Sequence, residues 1–220
     1  MTARRKKTHD TTLKAAILTA ALKHVVFDGF TDKVLTGAAK EVGADQAALK
    51  RLFPDGPLSL VEAFSQRADE EMKARLTAMD LRAMKIRERI AAAVRMRIAA
   101  LRPHKDVARR AAAFLTLPPH APLGIRLVYS TVDAMWRAIG DTATDFNFYT
   151  KRGVLAGVYS ATLLRWFTDQ SADESATEKF LADRIDNVMQ LERFKAQVQE
   201  GMARLPSLSE VLDAFAARRH

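Results

Sequence analysis

Gly140-Asp141-Thr142-Ala143-Thr144-Asp145-Phe146-Asn147-Phe148-Tyr149-Thr150-Lys151-Arg152 is the stretch on which the reading of this chain turns. It is a junction between helices, but more polar and more aromatic than such a junction requires. Gly140 can end a helix because it enters left-handed backbone angles at little cost. Thr144 or Asp145 can cap the next, since either side chain accepts from free amides of a first turn. Asp145, Phe148, Tyr149 and Arg152 then recur at helical spacings, so one face carries an acid, two aromatics and a cation. Aromatics and arginine are the material of binding hot spots. The same spacing is equally consistent with a capped helix start whose rings are core.

Outward from this junction the chain reads as helix. Its 220 residues hold nine Gly and seven Pro, and alanine and leucine dominate, which predicts an all-α protein with a sizeable core. There is no cysteine, which excludes disulfides, thiol nucleophiles and zinc-thiolate sites. The formal net charge of +9 favours anionic partners or a solvated basic surface. The most apolar run, Gly153 to Phe167, contains Arg165 and is shorter than the ~20 residues a bilayer span needs. Arg4-Arg5-Lys6-Lys7 is followed by no apolar run of signal-peptide type.

Apolar periodicity predicts a first helix over about 10–28, closed by Gly29, and a short one over 35–42, closed by Gly43. Asp45 can cap a third through Leu52, and Pro57 suits the first turn of a fourth reaching about Met79. Two short helices joined by a glycine turn are a helix-turn-helix. Further helices are expected over 86–101, 107–117, 125–139, 145–168 and 172–194, with Gly201 and Pro206 bracketing a hinge. Helix 145–168 is apolar on nearly every side, as a helix in the middle of a bundle is. The division expected is a basic tail (1–9), a helix-turn-helix domain (10–65), a helical ligand-binding domain (66–198), and a hinge with a terminal helix (199–220).

Chemistry-bearing motifs are scarce. His9, His24, His104, His120 and His220 lack the spacing of metal ligands on one helix, and no Glu-x-x-His is present. A phosphate loop and a Gly-x-Ser-x-Gly elbow are also absent. His104 and His120 flank proline turns and are expected at the surface. No catalytic residue, metal site or cofactor is expected.

The central run resembles the ubiquinone (coenzyme Q) biosynthesis accessory proteins of the Coq-nine family. Leu117-Pro118, Val132-Asp133-Ala134-Met135-Trp136, Gly140-Asp141, Thr144-Asp145-Phe146-Asn147, Tyr149-Thr150-Lys151-Arg152 and Leu155-Ala156 stand in that family's order and spacing. The start of the chain, through Leu49-Lys50-Arg51-Leu52-Phe53-Pro54, resembles the N-terminal domain of TetR-type repressors. Together these imply an all-α, TetR-like fold: a three-helix helix-turn-helix unit, a larger lipid-binding helical body and a C-terminal amphipathic helix.

The resemblance implies a non-enzymatic protein that binds an isoprenoid, quinone-intermediate or phospholipid ligand and presents it to the demethoxyubiquinone hydroxylase. By the family pattern the partner patch maps onto Ile98, Asp133, Met135, Asp145, Phe148 and Tyr149, with Phe148 where the family commonly has Trp. Arg152 resembles the family arginine near a lipid head group; a cation over Phe148 or a salt bridge to a nearby acid would serve as well. Leu155, Val158, Tyr159 and Leu163 are the expected pocket lining, and Trp136 is expected in the core. A homodimer is the usual state of TetR-like folds.

The terminal segment has Leu208, Val211, Leu212 and Phe215 at helical intervals opposite Ser209, Glu210 and Asp213. Burying four such side chains yields roughly 6–12 kcal/mol at most, and ordering about a dozen residues costs a comparable amount. Arg218 and Arg219 each add about 1 kcal/mol on an anionic surface. That sum describes weak, reversible membrane contact; packing on a neighbouring subunit would use the same face. The location expected is a bacterial cytoplasm, peripheral on the inner membrane.

The alternative is a TetR-type DNA-binding regulator. Against it, Lys50 stands where such repressors typically carry an aromatic, Asp45 would face a polyanion, and Gly56-Pro57 occupy the place of a phosphate-binding lysine. Nucleic acid is therefore not the expected partner, and the helix-turn-helix is read as scaffold.

Overall fold

A computed structural model of the chain describes the backbone of residues 2–141 and 146–203 and the side chains of residues 8–141 and 149–190. Among the described residues the order is α1 (Thr2–Asp28), α2 (Asp32–Glu41), α3 (Gln46–Leu52), α4 (Pro57–Thr77), α5 (Ile86–Leu101), α6 (Lys105–Leu115), α7 (Ala121–Ala138), α8 (Phe146–Thr168) and α9 (Ser175–Ala203). The described residues contain no strand, and the class is all-α.

Local chemistry sets the helix-turn-helix. Thr31 caps α2 by accepting from the Val34 amide at 3.3 Å, and Asp45 caps α3 by accepting from the Ala48 amide at 2.6 Å. Between them Gly43 takes φ +73°, and the Gly43 and Ala44 amides fold back to the Lys40 and Ala39 carbonyls. This left-handed cap closes α2 and turns the chain into α3. Pro57 begins α4, where its missing N–H costs nothing.

Several boundaries differ from expectation. The basic run 4–7 is not a separate tail, because α1 already begins at Thr2. Lysine and arginine are good helix formers, and the Thr12 hydroxyl bonds the Thr8 carbonyl inside the helix. Helix α7 begins at Ala121, with Pro122 in its first turn. Helix α9 continues through Gly201 to Ala203, so no hinge starts at 199. Glycine lowers helix propensity without forbidding helix. His104 and His120 are half-buried rather than surface residues; His120 stacks on Phe114 with ring centroids 4.0 Å apart.

Helix α4 runs unbroken across residue 65, the expected domain boundary, and packs on α1 and α2 as well as on α5 and α7. One apolar core is continuous from Ile17, Leu22 and Val25 on α1, through Leu60, Met72 and Leu76 on α4, to Val94, Val132, Trp166 and Leu181. In the body, α8 lies between α7 and α9.

Candidate functional site

Residues on the two sides of the α7–α8 junction form a clasp. Gly140 takes φ +91°, and the Gly140 and Asp141 amides bond the Arg137 and Trp136 carbonyls, ending α7. Asp141 then meets the start of α8: its Oδ1 lies 3.0 Å from Lys151 Nζ and its Oδ2 3.6 Å from Arg152 Nη1. Lys151 sits over the Trp136 ring at 5.5 Å, and the buried Trp136 donates its indole N–H to the Lys151 carbonyl. Arg152 is buried and bonds Asp133 at 2.8 Å. The Arg152 of this chain is thus a salt-bridge residue. Burial pulls the Asp133 carboxyl upward, but the hydrogen bonds and charges of Arg137 and Arg152 prevail and hold it below the usual aspartate range.

Beside the clasp α4–α8 line a half-open cavity of about 630 Å³. This falls within the ~300–1,000 Å³ of small-molecule sites. Its walls are apolar: Val61 and Phe64 from α4, Leu101 from α5, Ala108, Ala111 and Leu115 from α6, Leu127 and Val128 from α7. Helix α8 contributes Tyr149, Arg152, Gly153, Ala156, Tyr159, Ser160, Leu163, Leu164 and Phe167, one face repeating every three or four residues. Small residues keep the space open. A Cβ at Gly153 would meet nothing within 4 Å.

Four lining residues are large, apolar and exposed: Ile125 (74 %), Tyr129 (44 %), Tyr149 (67 %) and Leu164 (62 %). They mark the mouth, between α7 and α8. The inner wall is buried and includes a polar corner that sequence reasoning missed. Arg97 of α5 is 3 % exposed, and its Nε lies 2.8 Å from Oδ1 of Asp69 on α4. Arg97 Nη2 donates to the Ser65 hydroxyl at 3.1 Å, and Thr131 of α7 donates to Asp69 Oδ2 at 3.1 Å. Nη1 of Arg97 has no hydrogen-bond partner among the described residues. Burial pushes the Asp69 carboxyl above its ordinary range, against the pull of the Arg97 charge and the Thr131 hydroxyl. The buried Tyr159 phenol, within electrostatic reach of both Arg97 and Asp69, is likewise pushed up by burial.

Of the expected lining, Arg152, Tyr159 and Leu163 face the cavity. Leu155 and Val158 do not. They are buried on the opposite stripe of α8, in step with Thr162 and Trp166. Of the expected partner patch, Ile98 (4 % exposed) and Met135 (0 %) are core residues and offer no surface to dock on. Asp133 is partly exposed and Tyr149 open. Asp145, the Phe148 side chain, Leu208, Val211, Leu212 and Phe215 lie outside the described residues. On the helix-turn-helix, Arg51 is ion-paired with Asp10 at 2.8 Å. The described residues hold no cluster of three or more His, Cys, Asp or Glu side chains arranged for a metal. None of their helices is long and apolar enough to cross a membrane.

A helix-turn-helix followed by a larger helical body is the architecture of TetR-like proteins. The chain is similar in structure to a TetR transcriptional regulator from Nitrosomonas europaea, with a TM-score of 0.64, 17 % identity, and coverage of 80 % of this chain and 97 % of that one. The COQ9 family model matches residues 121–192, which are α7, α8, the clasp between them and most of α9. The chain is 34 % identical over 189 residues to the rat mitochondrial ubiquinone biosynthesis protein COQ9, covering 83 % of this chain and 61 % of the relative. It is 32 % identical to the human protein of that name, covering 85 % and 61 %. The chain is thus similar over most of its length to proteins of the COQ9 family, the Coq-nine family of the sequence resemblance, and spans about 61 % of the length of these relatives.

Proposed function

We propose that the chain is a lipid-binding accessory protein of ubiquinone biosynthesis. It takes an isoprenoid or quinone-precursor lipid into the α4–α8 cavity and delivers it to the demethoxyubiquinone hydroxylase at a membrane surface. The observation that carries this reading is the 630 Å³ apolar cavity opening between α7 and α8, inside the segment that the family model matches. The named role of the relatives in ubiquinone biosynthesis supports the pathway.

The physical rationale is solvation. A polyprenyl tail in water exposes many CH₂-like groups at about 0.8 kcal/mol each. Carrying such a molecule between bilayer and enzyme requires an apolar receptacle, and walls of Val, Leu, Ala and Phe supply one. The chemistry is left to the partner, whose docking surface we place around Tyr149 and Asp133 at the mouth. Contact there puts the cavity exit against the enzyme. The terminal segment 207–220 holds the protein on the membrane.

Mass spectrometry of lipid co-purifying with the intact chain tests the cargo, and a polyprenylated ring or its isoprenoid precursor is the expected finding. Co-precipitation with the hydroxylase tests the dock, with Tyr149→Lys expected to lower recovery at least tenfold. A chain that carries no lipid and takes none from vesicles overturns the reading.

A further inference from the structure

The polar corner of the cavity says what kind of end the cargo has. Arg97 is buried, lines the cavity, and has two guanidinium nitrogens, Nε and Nη1, with no hydrogen-bond partner among the described residues; Nε is ion-paired with Asp69, which leaves Nη1 with neither. Leaving a buried donor of a charged group unmet is costly. The wall that shares the cavity with it includes Val61, Phe64 and Leu101, so the guanidinium stands out in a largely apolar lining. Thr131, Ser65 and Tyr159 also line this part of the wall, so the polar groups converge in a cavity that is otherwise apolar.

Resting on the lipid-carrier reading, we propose that Arg97 is the specificity-determining residue of the cavity: it takes a neutral oxygen acceptor, of the carbonyl or phenol class, on the end of the ligand that enters first. Charge decides neutral over anionic. The Arg97 guanidinium is already countered by the Asp69 carboxylate 2.8 Å away, so the corner offers donors without net charge. A phosphate there would bring uncompensated negative charge into an apolar enclosure. A pure hydrocarbon would leave Nη1 unmet. Since Arg97 lies on the inner wall while Ile125, Tyr129, Tyr149 and Leu164 frame the mouth, the oxygenated ring rides inside and the tail trails over the apolar rim. Hand-off then occurs by release through the mouth, past Tyr149.

The test compares three probes with one tail on the full chain: decylbenzoquinone, decylbenzene and decyl phosphate. The expected result is a preference for the quinone over decylbenzene of roughly 10- to 100-fold, the value of a hydrogen bond to a charged group, with decyl phosphate bound more weakly than the quinone. Arg97→Met alone would strand Asp69, so the matched variant is Arg97→Met with Asp69→Asn, which removes both charges and keeps the volume. It is expected to bind decylbenzene as the parent does and to lose the quinone preference. Equal binding of quinone and decylbenzene by the parent chain, or a preference that survives in the double variant, overturns the assignment of Arg97 while leaving the carrier reading standing. Tightest binding of decyl phosphate overturns the neutral-acceptor assignment. Failure to bind any of the three overturns the carrier reading with it.

Discussion

Arg152 on α8 sets its Nε and Nη2 each 2.8 Å from the same oxygen, Oδ1, of Asp133 on α7. The other carboxylate oxygen takes Arg137 at 2.6 Å, and Asp141 stands 3.6 Å from Arg152 Nη1. The two helices that frame the cavity mouth are therefore fastened together by charge directly behind Tyr149. Arg152 lines the cavity as well, but two carboxylates already counter its charge, which suits a fastener better than a head-group anchor.

Removing that fastener is expected to be costly. Arg152→Met leaves Asp141, 9 % exposed, and the partly open Asp133 without their shared cation. Breaking a buried pair by deleting one partner costs about 3–5 kcal/mol, and the partial exposure of Asp133 places the expectation near about 3 kcal/mol. Urea denaturation measures it. A loss below about 1 kcal/mol would mean that the clasp is not what holds α8 to α7.

Gly153 separates helix propensity from cavity volume. A Cβ there meets nothing within 4 Å, and the position lines the cavity. Gly153→Ala should raise stability by about 0.5–1 kcal/mol, as alanine for glycine does inside a helix, and leave lipid uptake nearly unchanged. Gly153→Phe should keep that stability and fill the space, lowering lipid uptake at least tenfold. Thermal melts and vesicle-to-protein transfer of a fluorescent lipid report the two effects. Undiminished transfer in Gly153→Phe would place the cargo elsewhere.

How far the sequence spoke for itself depended on range. Gly43, Asp45, Pro57 and Gly140 acted where expected because caps and turns are decided by neighbouring residues. Helix α8 was legible as central, but not which of its apolar stripes faces a void. Leu155 and Leu163 look alike in sequence, and only the packing of α7 and α9 tells them apart. Ile98 and Met135 failed as surface residues for the same reason. Arg97 did leave a signal: it lies three residues after Val94 and four before Leu101, a charge on the buried stripe of α5. Its partner Asp69 is on another helix, and a pairing at that range is settled by tertiary packing.

The turn between α8 and α9 should make the protein acid-sensitive. Asp169 Oδ1 accepts from the Ser171 amide and hydroxyl, and Oδ2 from the Thr177 amide and hydroxyl, at 2.5–3.0 Å. The hydroxyls of Ser171 and Thr177, then their amides, hold its carboxyl far below the ordinary aspartate range. A folded-state value depressed in this way contributes stability that is complete above the unfolded value and fades as pH falls. The loss should therefore begin below about pH 4, the ordinary aspartate value. Asp169→Asn should melt lower at neutral pH and show a shallower decline on acidification than the parent. Parallel pH profiles for the two proteins would rule out this turn as a source of acid sensitivity.

The terminal segment is the last place where a single side chain can decide a property. In the proposed terminal helix Leu208, Val211, Leu212 and Phe215 would share one face, and burying them on a membrane would roughly balance the cost of ordering the segment. A balance so close to zero makes membrane contact sensitive to each contributor and to surface charge. Phe215→Asp removes about 1.5–3 kcal/mol of burial and adds a charge that anionic lipid repels. Cosedimentation with anionic vesicles should then fall roughly 10- to 100-fold. Loss of anionic lipid from the vesicles should weaken the parent by about 1 kcal/mol for each of Arg218 and Arg219. Solution dimerisation, followed in parallel by light scattering, separates the other use of the same face. If Phe215→Asp leaves cosedimentation intact and abolishes the dimer, the segment is a subunit contact and the membrane role falls.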